Sequence, residues 1–191
     1  MTWEECKQLI REDLGRSCDS CSKRMAFRYL LTNASFKMTF WFRIGNYLSS
    51  NNSGFLLLVV RIHYKRLMYR TGIQLPIGTQ VGGGLQFKHF NGIVVNDGAV
   101  IGKNATIYNG VTIGENLKPG ASGHNPVIDD NVVICTGAKV IGRIRIGRNS
   151  IIGANAVVTK DIPEDSVVAG IPARVIKSGG GEYVSAYLKH H

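Results

Sequence analysis

Long apolar runs are absent from this 191-residue sequence. The longest, Phe55 to Val60, has six residues, against the ~20 that a membrane-spanning helix requires. No cleavable signal is legible at the N-terminus, because Glu4, Glu5, Lys7, Arg11, Glu12 and Asp13 break up any apolar core there. Cysteine is scarce, with residues at 6, 18, 21 and 135 only. Cys18-Asp-Ser-Cys21 forms one CxxC pair, but a structural zinc site takes four ligands, and no second pair or histidine pair lies near it. These shortages point to a cytoplasmic protein that needs no metal.

Acids are the other shortage. Thirteen Asp and Glu face 23 Lys and Arg, for a net charge of +10. The imbalance is concentrated in residues 1–72, where twelve cations meet five acids, at positions 4, 5, 12, 13 and 19. A basic end of this kind attracts nucleic acid, an anionic bilayer or a polyphosphorylated ligand, or is merely a solvated face.

Glycine is plentiful, at 23 residues against a usual ~7% of a chain, which fits a turn-rich fold. Before residue 73 the pattern is helical. Residues 2–14 set Thr2 and Glu5 as a capping box, with Trp3, Cys6, Leu9 and Ile10 on one face. A second helix is expected from about Ser35 to Ser49, where Phe36, Phe40, Ile44 and Tyr47 stack, and a third from Phe55 to Tyr69, closed by Gly72.

From Val95 onward the spacing is six. Hexads begin at Val95, Ile101, Ile107 and Ile113, then at Ile128, Ile134, Val140, Ile146, Ile152 and Val158. Their fifth residues are small or branched: Ala99, Ala105, Val111, Val132, Ala138, Ile144, Ser150, Ala156 and Ile162. If each hexad is a short strand and a corner, three hexads close a triangular coil of 18 residues, with the leading aliphatics stacked inside. Glycines and Asn104, Asn109, Asn131 and Asn149 then serve corners that need unusual backbone angles. Such coils bury their faces only against one another, so several are needed and the ends must be capped.

This run of hexads, with KHFNGIVVNDGAVIG (88–102), VTIG (111–114) and AGIPARVIK (169–177), resembles the hexapeptide-repeat acyltransferases over roughly residues 73–177. Within them it is similar to the branch of serine acetyltransferases and of O-acetyltransferases of exopolysaccharide and capsule synthesis. The resemblance implies a left-handed parallel β-helix, a homotrimer, and acetyl-CoA held in a groove between adjacent subunits. The expected organisation is a helical segment over 1–72, the β-helix over 73–170 and a tail over 171–191, with SGGGEYVS (178–185) as a flexible hinge.

The hexad count breaks in two places. Phe87 to Val95 is eight residues, so the coil should bulge around His89, and Ile113 to Ile128 is fifteen, leaving about nine (119–127) to protrude. Moving an acetyl group from a thioester to a hydroxyl needs a base, because an alcohol is a poor nucleophile until its proton is leaving. A neutral imidazole, with an ordinary pKa of about 6.5, suits that task. The resemblance gives that role to His89. It also implies that Gly114, Thr136 and Ala154 lie close to the pantetheine arm, that Lys160, Arg174 and Lys177 meet the CoA phosphates, and that Lys88, Asn91 and His124 approach the acceptor.

Serine acetyltransferases place an Asp before the catalytic His, another some fifteen residues upstream, and Arg-His-Pro in the loop. Here Lys88, Gln74 and His124-Asn125-Pro126 stand at those places. Lys88 reverses the charge that would greet an amino acid's ammonium. The expected acceptor is therefore a sugar hydroxyl in polysaccharide synthesis, with serine O-acetylation in cysteine biosynthesis and a non-catalytic scaffold as alternatives. The remaining partner expectations are no nucleic acid, and loose contact with the inner face of the membrane through the basic, aromatic stretch FKMTFWFRIGNYL (36–48), which can equally pack on the end of the coil. Metal is not expected: of the three histidines that the γ-class carbonic anhydrases need, the coil region holds only His89 and His124.

Overall fold

The computed structural model describes residues 1–18, 22–116 and 124–190, with side chains described to Ala186. Cys21 and positions 119–123 of the expected protrusion lie outside the described residues. Four helices open the chain: α1 (Trp3–Gly15), α2 (Lys23–Thr32), α3 (Ala34–Ser50) and α4 (Gly54–Thr71). The capping box forms as read, Glu5 N–H donating to Thr2 Oγ1 at 3.2 Å and Thr2 N–H to Glu5 Oε2 at 2.7 Å. Gly72, at φ 65°, closes α4 by donating its N–H to the Met68 carbonyl. The sequence reading missed α2, a ten-residue helix that buries none of its residues and is capped by Ser22, whose hydroxyl accepts the Met25 N–H.

Helix α3 is central to this group. It buries Phe36, Met38, Phe42, Arg43 and Leu48 against α1, α2, α4 and the first coil. The aromatic stretch read as a membrane contact is therefore largely packed inside, and Met38 and Phe42 join one core with Ile73, Leu75, Leu85 and Phe87. Ser35 Oγ accepts the Phe87 N–H at 2.8 Å. The helices thus seal one end of the repeat, as an open coil end requires.

The strands follow in chain order: β1 (Ile73–Gln74), β2 (Gln80–Val81), β3 (Gln86–Lys88), β4 (Ile93–Val95), β5 (Val100–Ile101), β6 (Thr106–Tyr108), β7 (Thr112–Gly114), β8 (Val127–Ile128), β9 (Val133–Ile134), β10 (Lys139–Ile141), β11 (Arg145–Ile146), β12 (Ile151–Ile152), β13 (Val157–Val158), β14 (Ser166–Ala169) and β15 (Arg174–Ser178). They form three sheets, β1-β4-β7-β10-β13, β2-β5-β8-β11, and β3-β6-β9-β12-β14-β15. All pairings are parallel except β14 with β15. The fold is a parallel β-helix with one strand per face in each coil.

Register shows where the coil is regular. Ile134 pairs with Ile152, eighteen residues on, and Val140 with Val158. Phe87 pairs with Ile107, twenty residues on, so the first coil carries two extra residues, and Ile107 pairs with Ile134, twenty-seven on, which makes room for a nine-residue excursion. The last coil is short, Ile152 pairing with Val168 after sixteen. Every leading aliphatic from Val95 to Val158 and every fifth residue from Ala99 to Ile162 is buried. Each enclosed Ile or Val contributes roughly 1.5–3 kcal/mol relative to exposure.

The corner chemistry differs from the reading at one position. Asn104, Asn131 and Asn149 take left-handed backbone angles, as do Asn155 and Asp165. Asn109 does not; its neighbour Gly110, at φ 72°, makes the turn, and the Asn109 side chain accepts a hydrogen bond from Thr136. The tail also differs. Gly180 to His190 is a helix, α5, with Val184 buried, rather than a hinge.

Candidate active site

The three edges of the prism are chemically distinct. Between the second and third sheets runs a ladder of side chains: Asn104 Nδ2 donates to Asn131 Oδ1 at 3.0 Å, Asn131 to Asn149 at 3.0 Å, and Asn149 to Asp165 at 3.2 Å. The edge between the third and first sheets has one side-chain rung, Thr136 Oγ1 donating to Asn109 Oδ1 at 3.1 Å, beside a stack of glycines. Gly92, Gly110 and Gly137 stack there at φ 69°, 72° and 74°, so closely that a Cβ on Gly110 would sit 3.3 Å from the Gly137 Cα. The backbone on this edge is open to close approach. The third edge, between the first and second sheets, carries the fifteen-residue step and His124.

His89 stands at the top of the glycine edge. It leaves β3 with φ 53°, followed by Asn91 at 95° and Gly92 at 69°, and this sequence of left-handed residues absorbs the two extra residues of the first coil. A left-handed non-glycine backbone is sparsely populated and costs roughly 1–3 kcal/mol, which the surrounding structure must offset. The His89 side chain is exposed, with its ring 5.8 Å from that of Tyr108. Tyr108 is the register partner of Lys88. Asn91 packs against Gly72, whose carbonyl accepts the Ile93 N–H. A cavity of about 300 Å³ lies beside it, lined by Lys65, Met68, Tyr69, Gly72 and Gln74.

Lys88 points outward beside the end of α1. Arg16 donates to Thr106 Oγ1 at 2.9 Å, and its carbonyl accepts from Gln86 at 2.8 Å. Partial burial, and then the nearby Arg16 charge, hold the Lys88 ammonium below the ordinary lysine range. The sequence reading missed Tyr108 and Arg16; the twenty-residue offset between Lys88 and Tyr108 is the signal that finds the first.

The residues read from the sequence divide between two edges. His89, Asn91, Thr136 and Ala154 share the glycine edge, and Arg174 joins it from below, because Ala173 donates to Val157 at the start of β13. Lys177 lies farther along β15, stacked on Tyr183. Gly114, His124 and Lys160 lie on the opposite edge of the first sheet. Within one chain, His124 does not share the edge of His89. Among the described residues there is no group of three His, Cys, Asp or Glu suited to a metal ion, and no helix is long and apolar enough to cross a membrane.

Residues 125–160 match the bacterial transferase hexapeptide (six repeats) model. The serine acetyltransferase of Synechococcus elongatus is 42% identical over 118 residues, 62% of this chain and 47% of that protein; the chain thus spans about half the length of this relative. Among solved structures, Neisseria gonorrhoeae serine acetyltransferase in complex with serine superposes with a TM-score of 0.75 at 27% identity, over 92% of this chain and 70% of that one. A serine acetyltransferase complex with CoA does so with a TM-score of 0.73 at 27% identity, over 91% and 71%.

These likenesses overturn the expected sugar acceptor of polysaccharide synthesis. That expectation gave most weight to Lys88 standing where an Asp would meet the ammonium, whereas an amino acid also carries a carboxylate, for which a cation is the fitting partner. With its repeat, its coil and its helical cap, the chain is similar in sequence and in fold to hexapeptide-repeat acyltransferases, serine acetyltransferases among them.

Proposed function

We propose that this chain transfers an acetyl group from acetyl-CoA to the hydroxyl of serine, with His89 as general base. His89 takes the hydroxyl proton as the serine oxygen bonds to the thioester carbonyl carbon. When the carbon–sulfur bond breaks, the imidazolium returns that proton to the departing sulfur. No charge then remains on the ring, and the base is ready for another turnover.

One observation carries this proposal: among the described residues, the one coil lengthened by two residues holds an exposed imidazole above a column of stacked glycines, Gly92, Gly110 and Gly137. From His89 the glycine edge descends by four strand spacings, through Asn109, Thr136 and Ala154, to Gly170 beside Arg174. At ~4.8 Å each this is roughly 19 Å, a track suited to an extended pantetheine arm with its thioester at His89 and its phosphates near Arg174. Lys88 serves the serine carboxylate, and Asn91 the acceptor's other polar groups. A homotrimer belongs to the proposal, since a neighbouring copy's first sheet then brings Gly114, His124 and Lys160 toward the His89 edge.

Thiol release from acetyl-CoA, followed with and without L-serine, tests it. Release should saturate with serine and fall by ~10²–10⁴-fold in His89→Ala, with the far-ultraviolet circular dichroism of the variant unchanged. Serine-independent rates, or full turnover by the variant, would end the proposal.

A further inference from the structure

Helix α4 has two apolar faces, and only one is used. Val60, Tyr64 and Leu67 are buried against α3 and the first coil. On the opposite side, Phe55, Leu58, Val59, Ile62 and Tyr69 follow the i, i+3, i+4, i+7 spacing of a single stripe, and they are exposed by 81, 55, 46, 49 and 77%. Phe55, Leu58, Val59 and Ile62 are neighbours on this face, and exposed apolar side chains grouped in this way on a folded surface mark an interaction site.

The charge around the strip selects the partner. Arg61, Lys65, Arg66 and Arg70 are all exposed on the same helix; at ~100° per residue Arg61 and Lys65 flank the strip on one side and Arg70 on the other, and Arg66 stands within it between Ile62 and Tyr69. No acid occurs anywhere from residue 20 to residue 96, a stretch with ten Lys and Arg. The one earlier acid buried beneath these helices, Asp13, is already paired with Arg43. A second copy presenting the same face would set cation against cation. An anionic bilayer surface would neutralise the cations, each worth more near negative lipid, while accepting the apolar strip at the headgroup boundary.

The geometry points to α4 as an interfacial membrane anchor, lying flat on anionic lipid through Phe55, Leu58, Val59 and Ile62 with its arginines and Lys65 at the headgroups. This goes beyond the acetyl-transfer proposal and is independent of it. It also reassigns the contact from α3, which is packed inside, to α4, which is not.

Co-sedimentation of the full chain with vesicles tests the anchor, using phosphatidylglycerol mixed with phosphatidylethanolamine in one arm and phosphatidylcholine alone in the other. The protein should bind the anionic vesicles at least tenfold more tightly, and binding should weaken as salt rises. The double variant Leu58→Glu/Ile62→Glu should lose at least tenfold of that binding while keeping its circular dichroism and its mass by light scattering. Equal binding to both vesicle types overturns the inference. So does a double variant that binds as before, or one whose main change is dissociation of an oligomer, which would make the strip a contact between copies.

Discussion

Arg43 and Asp13 form a buried bidentate pair: Nε and Nη2 of Arg43 donate to the two carboxylate oxygens at 2.9 and 3.1 Å. Arg43 also donates to the carbonyls of Val81 and Gly82, at 2.6 Å each, while Asp13 Oδ1 accepts the Leu85 N–H at 2.9 Å. Two helices are thereby bolted to the first coil at one point. Burial pushes the Asp13 carboxyl up, against the pull of Arg43 and the backbone N–H groups.

Removing one partner strands the other's charge in the interior. Arg43→Met should cost about 3–5 kcal/mol, read as a lowered urea midpoint at constant slope. The double variant Asp13→Leu/Arg43→Met leaves no buried charge and should recover much of that loss. A double variant no more stable than the single would mean that the Val81 and Gly82 carbonyls, rather than the charge, set the cost.

The asparagine ladder separates backbone from side chain. Asn131 has φ 58° and bonds both the coil above and the coil below. Asn131→Gly removes two side-chain hydrogen bonds of about 1 kcal/mol each but keeps the conformation free of strain. Asn131→Ala loses the same bonds and adds the left-handed penalty of about 1–2 kcal/mol. Thermal unfolding should therefore rank wild type above Gly above Ala, and an Ala variant as stable as Gly would show that the ladder alone matters.

Much of the coil was legible because its inward residues repeat in phase: Val95 to Val158 and Ala99 to Ile162 are buried where the spacing of six put them. The bulge at His89 and the fifteen-residue step were legible for the same reason, as errors in a count. Helix α2 was not read: it has ten residues and the fold buries none of them, although Ser22, accepting the Met25 N–H, marks its start. The unused face of α4 was hidden too, because apolar residues on both sides of a helix read simply as a hydrophobic helix. The relation of His89 to Tyr108 needed the register, which a local motif does not contain.

The glycine edge makes a sharper prediction at Gly110. Its φ of 72° strains any side chain, and an added Cβ would crowd the Gly137 backbone at 3.3 Å. Gly110→Ala should cost about 1–2 kcal/mol and, on the acetyl-CoA proposal, raise the KM for acetyl-CoA more than that for serine, because the methyl enters the track below His89. An equal rise in both would place the effect in the fold rather than in the track.

If Lys88 holds the serine carboxylate as proposed, it gives the reaction a pH dependence of its own. Burial and the Arg16 charge lower its pKa from the ordinary lysine value. Only the protonated ammonium holds a carboxylate, so as pH rises through that lowered value the charge is lost and the KM for serine should climb, with kcat steady over the same interval. In Lys88→Arg the guanidinium stays charged and KM should remain flat to higher pH. In Arg16→Gln the repulsion is gone, and the climb should move to higher pH. Lys88→Gln should raise KM for serine about tenfold at neutral pH, in keeping with a hydrogen bond to a charged group, and abolish the climb. A climb that persists in Lys88→Gln would remove Lys88 from the acceptor site and leave the carboxylate to another cation.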